Sequence, residues 1–518
     1  DYAVSGQQAG SIWFYNAGGI LIGSTGVINV GSLVLTTNDI QTTGPGGLID
    51  PVTGIRFRAE TAGTTAGVTV SSGARINASE SFAPAGSSYV AIVAPRVTQA
   101  GRVDVNGSAA YVAAESADIL IRTGGLFDIN VQTGTTGGQA ITHTGVTTGP
   151  EQQATGQAQR IYMVAIPKNL AVSMLVSGIV GYPDATSATV AGDGSIILSA
   201  GYNVSNGTPR ATPVNGTAAN ITINDIIFNS DVTAHASGNL LARPLQDIPP
   251  PPPPSSVPPP NPAGRLLALG NATFTGDTSA TLRVDTGHQA LILGNLTVQS
   301  GGNATTPGSA AITLDGGSLG VQGSTLIEAP SFYATATGDT RGGNASLAIT
   351  SGGQMTASGG LDLSADAYGG IDAAGKASGD GRGGSATITV SGAGSSLSGG
   401  INGGNISAHA NGYGAFPSSG FDNADTGGAG IGGSAAISVQ NGGSITTTGI
   451  STAGSLTARA DGEGGFGLIQ SGAGNGGTAL IEATGAGTTL QAGSTSLTAS
   501  GTGGGGFSFD PVTGDTLP

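Results

Sequence analysis

Two sets of residues in the N-terminal half have the types that glycan-cleaving or acid–base chemistry uses: Asp118 with Arg122 and Asp128, and Arg56 with Arg58 and Glu60. Such chemistry needs carboxylates or bases converging on one substrate bond from neighbouring strands. Charged side chains are almost never buried without partners, so both sets are read as solvated charges on an outer face. The four histidines, His143, His235, His288 and His409, lie far apart without metal-ligand spacing and are read as surface residues. Asp193-Gly194, Asp380-Gly381 and Asp461-Gly462 would suit calcium only within a regular Gly-Gly-x-Gly-x-Asp period, which never occurs, so tight turns explain them better. Cysteine is absent, which excludes disulfides, thiolate chemistry and cysteine-bound zinc. No catalytic, cofactor-binding or metal-binding residue is expected, and the chain is read as a non-enzyme that needs no cofactor.

The elements that would position any such residue are legible from composition. Among 518 residues, 94 are Gly, while only 9% are charged and 4% aromatic. Globular domains carry about 25% charged residues, and disordered chains combine low hydrophobicity with high charge, so neither class fits. Stacked β-coils do fit. They bury short Val, Ile, Leu and Ala side chains, turn on Gly and Asn, and leave Ser and Thr outside. A net charge of −15 with only 16 Lys and Arg argues against a nucleic-acid partner, whose phosphates demand basic patches. No apolar run reaches the roughly 18 residues of a membrane helix.

The C-terminal half repeats. Gly342-Gly343-Asn344-Ala345-Ser346-Leu347-Ala348-Ile349 recurs from Gly383, from Gly432 and, shortened, from Gly476, with a degenerate earlier copy from Gly308. A second arm accompanies each: Leu363-Ser364-Ala365-Asp366-Ala367, Ile406-Ser407-Ala408-His409-Ala410, Leu456-Thr457-Ala458-Arg459-Ala460 and Leu497-Thr498-Ala499-Ser500-Gly501, with Phe332-Tyr333-Ala334-Thr335-Ala336 as a further match. Alternation of apolar and polar residues is the period of a strand with one buried face. This alignment puts Asp366, His409, Arg459 and Ser500 at one position, whose indifference to charge implies that it faces water. Two arms per repeat predict two β-helical coils per unit, some 18 to 24 in all at about 4.8 Å each. The Gly-rich excursions, such as residues 411–430, are expected to be surface loops without a core of their own.

Alternation also marks residues 26–35, 68–76, 89–94, 103–105, 109–121, 161–166 and 188–197 in the first half, with 172–179 ambiguous between strand and helix. Between the halves, Pro249 to Pro254 and then Pro258, Pro259, Pro260 and Pro262 cannot enter a central strand, because proline lacks the amide donor. The stretch reads as an extended tether. The organisation expected is a β-helix block over 1–243, a Pro-rich linker over 244–263 and a repeat-containing β-helix block over 264–518.

Ser11-Ile12-Trp13-Phe14-Tyr15-Asn16-Ala17-Gly18-Gly19-Ile20-Leu21-Ile22-Gly23, followed by Val27-Ile28-Asn29-Val30-Gly31-Ser32-Leu33-Val34 and Thr37-Asn38-Asp39-Ile40, resembles the haemagglutination-activity domain of filamentous-haemagglutinin-type exoproteins exported by two-partner secretion. Ala17 and Gly18 stand where that family has Pro and Asn in its turn. Tyr89-Val90-Ala91-Ile92-Val93-Ala94 with Gly101-Arg102-Val103 and Ala109-Ala110-Tyr111-Val112 is similar to a later coil of the same domain. The resemblance spans roughly residues 11–125 and implies a right-handed parallel β-helix, recognition by an outer-membrane transporter of the partner class, and an extracellular place on the bacterial surface. The family's upstream Asn-Pro-Asn-Leu motif does not precede Asp1, and the sequence stops in Asp510-Pro511-Val512-Thr513-Gly514, so a longer natural protein is expected. The function expected is that of a structural or adhesive exoprotein. The alternatives are a subunit that self-associates end to end into a filament, and a polysaccharide-degrading β-helix enzyme.

Overall fold

The computed structural model describes residues 10–41, 54–78, 88–121, 127–149, 159–182, 194–245, 264–302, 307–330, 338–370, 379–400, 403–415, 426–449, 453–465, 467, 470–504, 508–509 and 516–517. Every regular element among them is a β-strand. The chain is a parallel β-helix, and its contacts divide it into two compact units: Asp1–Thr273 with Leu291–Leu293, and Phe274–Ala290 with Gly294–Pro518. The Pro-rich tract at 249–262 lies outside the described residues, as do Arg122, Asp193 and the Phe332 to Ala336 arm.

In the first unit a coil has three walls, seen in Tyr89–Ala94, Arg96–Gln99 and Arg102–Val105. The first wall stacks seven parallel strands in register: Ser11–Tyr15, Ser32–Thr36, Tyr89–Ala94, Ser108–Ala113, Ile161–Ala165, Ile196–Ala200 and Val232–Ala236. The other two walls run parallel beside it and fuse into single long strands at Val172–Val180 and Ala219–Phe228. The ambiguous segment at 172–179 is therefore a strand. Alternation puts Leu35, Ile92, Tyr111, Met163 and Leu198 inside, stacked one above another and fully buried.

The outward face of this wall is not solvated, which the sequence reading did not anticipate. An antiparallel sheet lies over it, in the order Thr208–Pro209, Val204–Ser205, Phe127–Thr133, Ser116–Ile121, Ile55–Arg58, Asp39–Gln41. Phe57, Ile119, Phe127 and Ile129 of this cover pack against outward Val34, Ala91, Val112 and Tyr162. Ser108–Ala113 is consequently buried at all six positions. The run read as one strand over 109–121 is two, because the chain leaves the helix at Ala114 and enters the cover at Ser116.

The second unit is more regular. Asn344–Thr350, Ser385–Ser391, Ser434–Gln440 and Thr478–Thr484 stack in parallel with Leu347, Ile388, Ile437 and Ile481 at one inward position. Leu361–Ser364, Ile406–His409, Ser455–Arg459 and Ser494–Thr498 form the opposing wall. Successive repeats occupy successive rungs of both walls, so each repeat is one coil. The expectation of two coils per repeat, and of 18 to 24 coils, is corrected: the two arms are two walls of the same turn. The Gly-rich excursions lengthen the coil without adding one.

The described parts of those excursions pair as strands. Ala367–Tyr368, Gly412–Tyr413, Gly462–Glu463 and Gly501–Thr502 form one narrow parallel sheet, and Thr340–Arg341, Gly381–Arg382, Gly430–Ile431 and Gly474–Asn475 form another. They touch backbone to backbone: a Cβ on Gly412 would collide with the Ile431 carbonyl, and one on Gly430 with the Glu463 carbonyl. A zigzag of amide bonds closes the pair. Gly370 donates to Gly338 at 2.7 Å, Gly379 to Gly370 at 2.8 Å, Ala415 to Gly379 at 3.1 Å, Gly465 to Gly428 at 2.8 Å and Gly472 to Gly465 at 2.8 Å. Composition without large side chains thus excludes a side-chain core but permits a layer held by satisfied backbone groups.

Candidate functional site

The charged residues singled out in the first unit do converge, but on each other. Asp118 and Arg56 and Arg58 face one another across the antiparallel pairing of Ser116–Ile121 with Ile55–Arg58. Arg58 reaches the Asp118 carboxylate at 3.3 Å, Arg56 Nε lies 3.8 Å from it, and Gln132 donates to its second oxygen at 2.6 Å. Asp118 is only 14% exposed, so it is a half-sequestered ion-pair centre and not the freely solvated charge expected. Asp128 instead accepts the Asn206 amide at 2.8 Å, and Glu60 accepts the Tyr15 hydroxyl, a bond that pushes the phenol up to about 12. The two sequence sets are therefore redistributed into a guanidinium–carboxylate cluster and two separate contacts.

His143 and His288 are buried, which corrects the surface reading for those two, while His235 and His409 are half-buried. His235 stacks on Tyr202 with ring centroids 4.1 Å apart. His288 is buried, with neither ring nitrogen hydrogen-bonded. His143 points into the first unit's interior, where its Nε2 lies 2.8 Å from the Thr147 hydroxyl and its Nδ1 2.9 Å from the Ser177 carbonyl. Tyr111 joins the same Thr147 hydroxyl at 2.7 Å. Burial without a counter-charge pulls the His143 pKa down to about 4, so the ring is neutral. Alternation carried the signal for this network: Val97 and Ile141 are inward, which puts Gln99 and His143 inward two residues later.

His409 is the opposite case. Its wall pairs Ser364 with His409 and Arg459, so Asp366 is not its equivalent. The alignment of the first arm was two residues out of step, and so was the last, since Leu497 pairs with Ala458. In the correct register Asp366, Asn411, Asp461 and Ser500 form a corner ladder. Asp366 accepts the Asn411 amide at 2.6 Å, Asn411 the Asp461 amide at 2.9 Å, and Asp461 the Ser500 amide at 2.7 Å. Asp366 is 5% exposed, so this position does not face water at its first rung. Asp380 likewise accepts the Ala429 amide of the next rung at 2.8 Å. The Asp-Gly pairs at Asp380 and Asp461 are therefore rung-to-rung clamps whose oxygens hold backbone amides.

His409 sits between two carboxylates, with Nε2 3.0 Å from Asp362 and Nδ1 2.9 Å from Asp366. Burial, the largest single influence, opposes its charge, but the two carboxylates together outweigh it and raise the pKa to about 10. Asp362 is held below its usual range: His409 and the Ser407 hydroxyl overcome its desolvation. Glu328, one rung from Ser364 in the same wall, is pushed up by burial and by those carboxylates. Beside them Tyr368 and Tyr413 stack at 4.8 Å and 8° between ring planes. An imidazolium fixed between two acids at neutral pH has no free lone pair with which to accept a proton. The arrangement is an electrostatic tie across two rungs. Sequence reading missed Asp362 and Glu328 because only the register brings them beside His409. Among the described residues no group of three or more His, Cys, Asp or Glu is placed to hold a metal ion.

The rungs, clamps and ties are thus visible down to single atoms. No family model matches the chain. No curated protein matches it either. The segment from Ser11 to Thr36 forms the first described rungs: Ser11–Tyr15, a turn in which Asn16 Oδ1 accepts the Gly18 amide at 2.9 Å, then Ile20–Ile22, Val27–Val30 and Ser32–Thr36.

Proposed function

We propose that this chain is a bacterial exoprotein with a structural or adhesive role, exported by an outer-membrane transporter of the two-partner class and displayed at the cell surface. The observation that carries the reading is the in-register stacking of the second unit, where four repeats place Leu347, Ile388, Ile437 and Ile481 at one inward position. A solenoid gains length by adding rungs, each stabilised by its neighbours, which suits a protein whose task is reach and exposure. The charged clusters support the same view, since Asp118 and His409 spend their charges on internal partners. Deleting the candidate transporter gene should remove the protein from the culture medium; unchanged secretion would refute the export route.

A filament subunit is the second reading. Its support is the parallel, in-register pairing of successive wall strands, a pattern that a second copy could continue. Open rungs are templates for further strand pairing. Electron microscopy of the purified protein separates the two, since long uniform fibres require a subunit and single particles require a surface-anchored adhesin. Turnover of a glycan panel by the pure protein would overturn both in favour of a degrading enzyme.

A further inference from the structure

The two flanks of the proline-rich stretch are both described, and both end on one strand of the first unit. Ala219–Phe228 receives Asn239–Ala242 along its first half, pairing Ile221 with Leu240 and Ile223 with Ala242. Its second half receives Arg265–Ala268, pairing Ile226 with Leu266 and Phe228 with Ala268. Together the two flanks make one next rung, interrupted at the point where Ala219–Phe228 itself has a register irregularity against Val172–Val180. Asp225 stands at that irregularity and is 7% exposed. Its Oδ1 accepts the amide of Leu245, the last residue described before the stretch, at 2.9 Å, and the amide of Gly264, the first described after it, at 3.0 Å. One oxygen holding both amides keeps the two ends of the stretch no farther apart than those two bonds reach.

We propose that Asp225 is a clamp that turns the proline-rich stretch into an insertion within a single coil of the first unit, with both feet locked to one carboxylate. Eighteen residues drawn out as polyproline would span on the order of 50 Å, so clamped ends commit the chain to leave and return at one point. Pairing of Arg265–Ala268 with Ala219–Phe228 then carries the coil onward with no need of the intervening covalent chain. A tether would behave differently, because nothing but the peptide would hold its two ends near each other.

The test uses the full chain with a site-specific protease sequence inserted between Ser255 and Ser256. After cutting, size-exclusion chromatography under native conditions is expected to show the two fragments co-eluting, with the melting temperature of the uncut protein retained. Asp225→Ala should lower the melting temperature more in the cut than in the uncut protein, because only the cut form depends on the clamp to hold Gly264. Asp225→Asn keeps an acceptor oxygen and should lie between, which covers the case in which the alanine variant does not fold. Fragments that separate without denaturant would overturn the proposal, as would equal losses for Asp225→Ala in cut and uncut protein.

Discussion

The outward face of the first wall is treated in two ways along the chain. In the first unit Ser108–Ala113 is buried at every position because an antiparallel sheet covers it. In the second unit the corresponding Ile406–His409 alternates buried and half-buried residues, and its outward side chains are tied by charge. Both walls are parallel, in register and built from similar small residues. The difference is in what lies outside them, and it decides which polar residues the wall tolerates. The first unit holds one ring inside and neutral, at His143 on the neighbouring wall that begins with Arg96–Gln99; the open wall of the second unit places one outside, charged, at His409.

The sharpest way to break this comparison is to put a charge where the second unit is purely apolar. Ile388 is fully buried at the shared inward position of the repeats. Replacing it with Asp buries an unpaired carboxylate and removes a well-packed side chain, an effect of about 4 kcal/mol or more. Arg459→Ala, on the outward face, should cost less than about 1 kcal/mol, since the Arg459–Asp461 pair is half exposed. Thermal melts of the two variants check the assigned faces, and equal midpoints would invalidate them.

That experiment also marks how far the sequence could be read. The repeated Ala-x-Ile/Leu-x-Ile/Val pattern made the inward face of the second unit legible, because each position there meets one environment in every rung. The number of coils was not legible, since two arms of one turn look like two turns until pairing is known. The cover sheet escaped as well: when both faces of Tyr89–Ala94 are buried, alternation vanishes and the strand reads like any apolar run. Asp366 was misread for a third reason. A one-rung repeat with short strands allows a shift of two residues without changing the apolar pattern, and such a shift exchanges a clamp oxygen for an imidazole.

Phe57→Ala tests the cover alone. The ring is fully buried between the antiparallel sheet and the wall beneath it, so its loss should cost about 3–5 kcal/mol. Hydrogen exchange followed by mass spectrometry should show faster exchange in Ile55–Arg58 and Ser116–Ile121, with Ser385–Ser391 unchanged. Uniform acceleration across both units would mean that they unfold as one, and the comparison would lose its basis.

The two histidines predict opposite responses to pH. Between pH 6.5 and about 4 the unfolded chain protonates residue 143 while the folded chain refuses the proton. Its contribution is therefore complete above pH 6.5 and falls as acid is added, by about 3 kcal/mol at most. For His409 the folded chain keeps a proton that the unfolded chain releases above 6.5, so stability is complete below that pH and is lost as pH rises through about 10. Protection against amide exchange, after correction for the intrinsic base-catalysed rate, should thus fall in acid on Gly138–His143 and in alkali on Ile406–His409. His143→Gln should flatten the first response and His409→Gln the second. Matching pH profiles in both units would contradict the inside and outside placements.

The smallest effect concerns the glycine layers. Gly412 and Gly430 sit where a Cβ would strike the carbonyls of Ile431 and Glu463, and neither carbonyl can turn away without losing its place in a backbone ladder. Alanine at either should cost about 1–3 kcal/mol, confined to the narrow sheets. Gly216, in the first unit, has nothing within 4 Å of its would-be Cβ, so alanine there should be neutral or stabilise by a few tenths of a kcal/mol through the unfolded state. The contrast separates glycine used for contact from glycine used in an open turn. If Gly412→Ala and Gly430→Ala melt like Gly216→Ala, the backbone-on-backbone layer does not hold the excursions together, and their order must come from the residues beyond it.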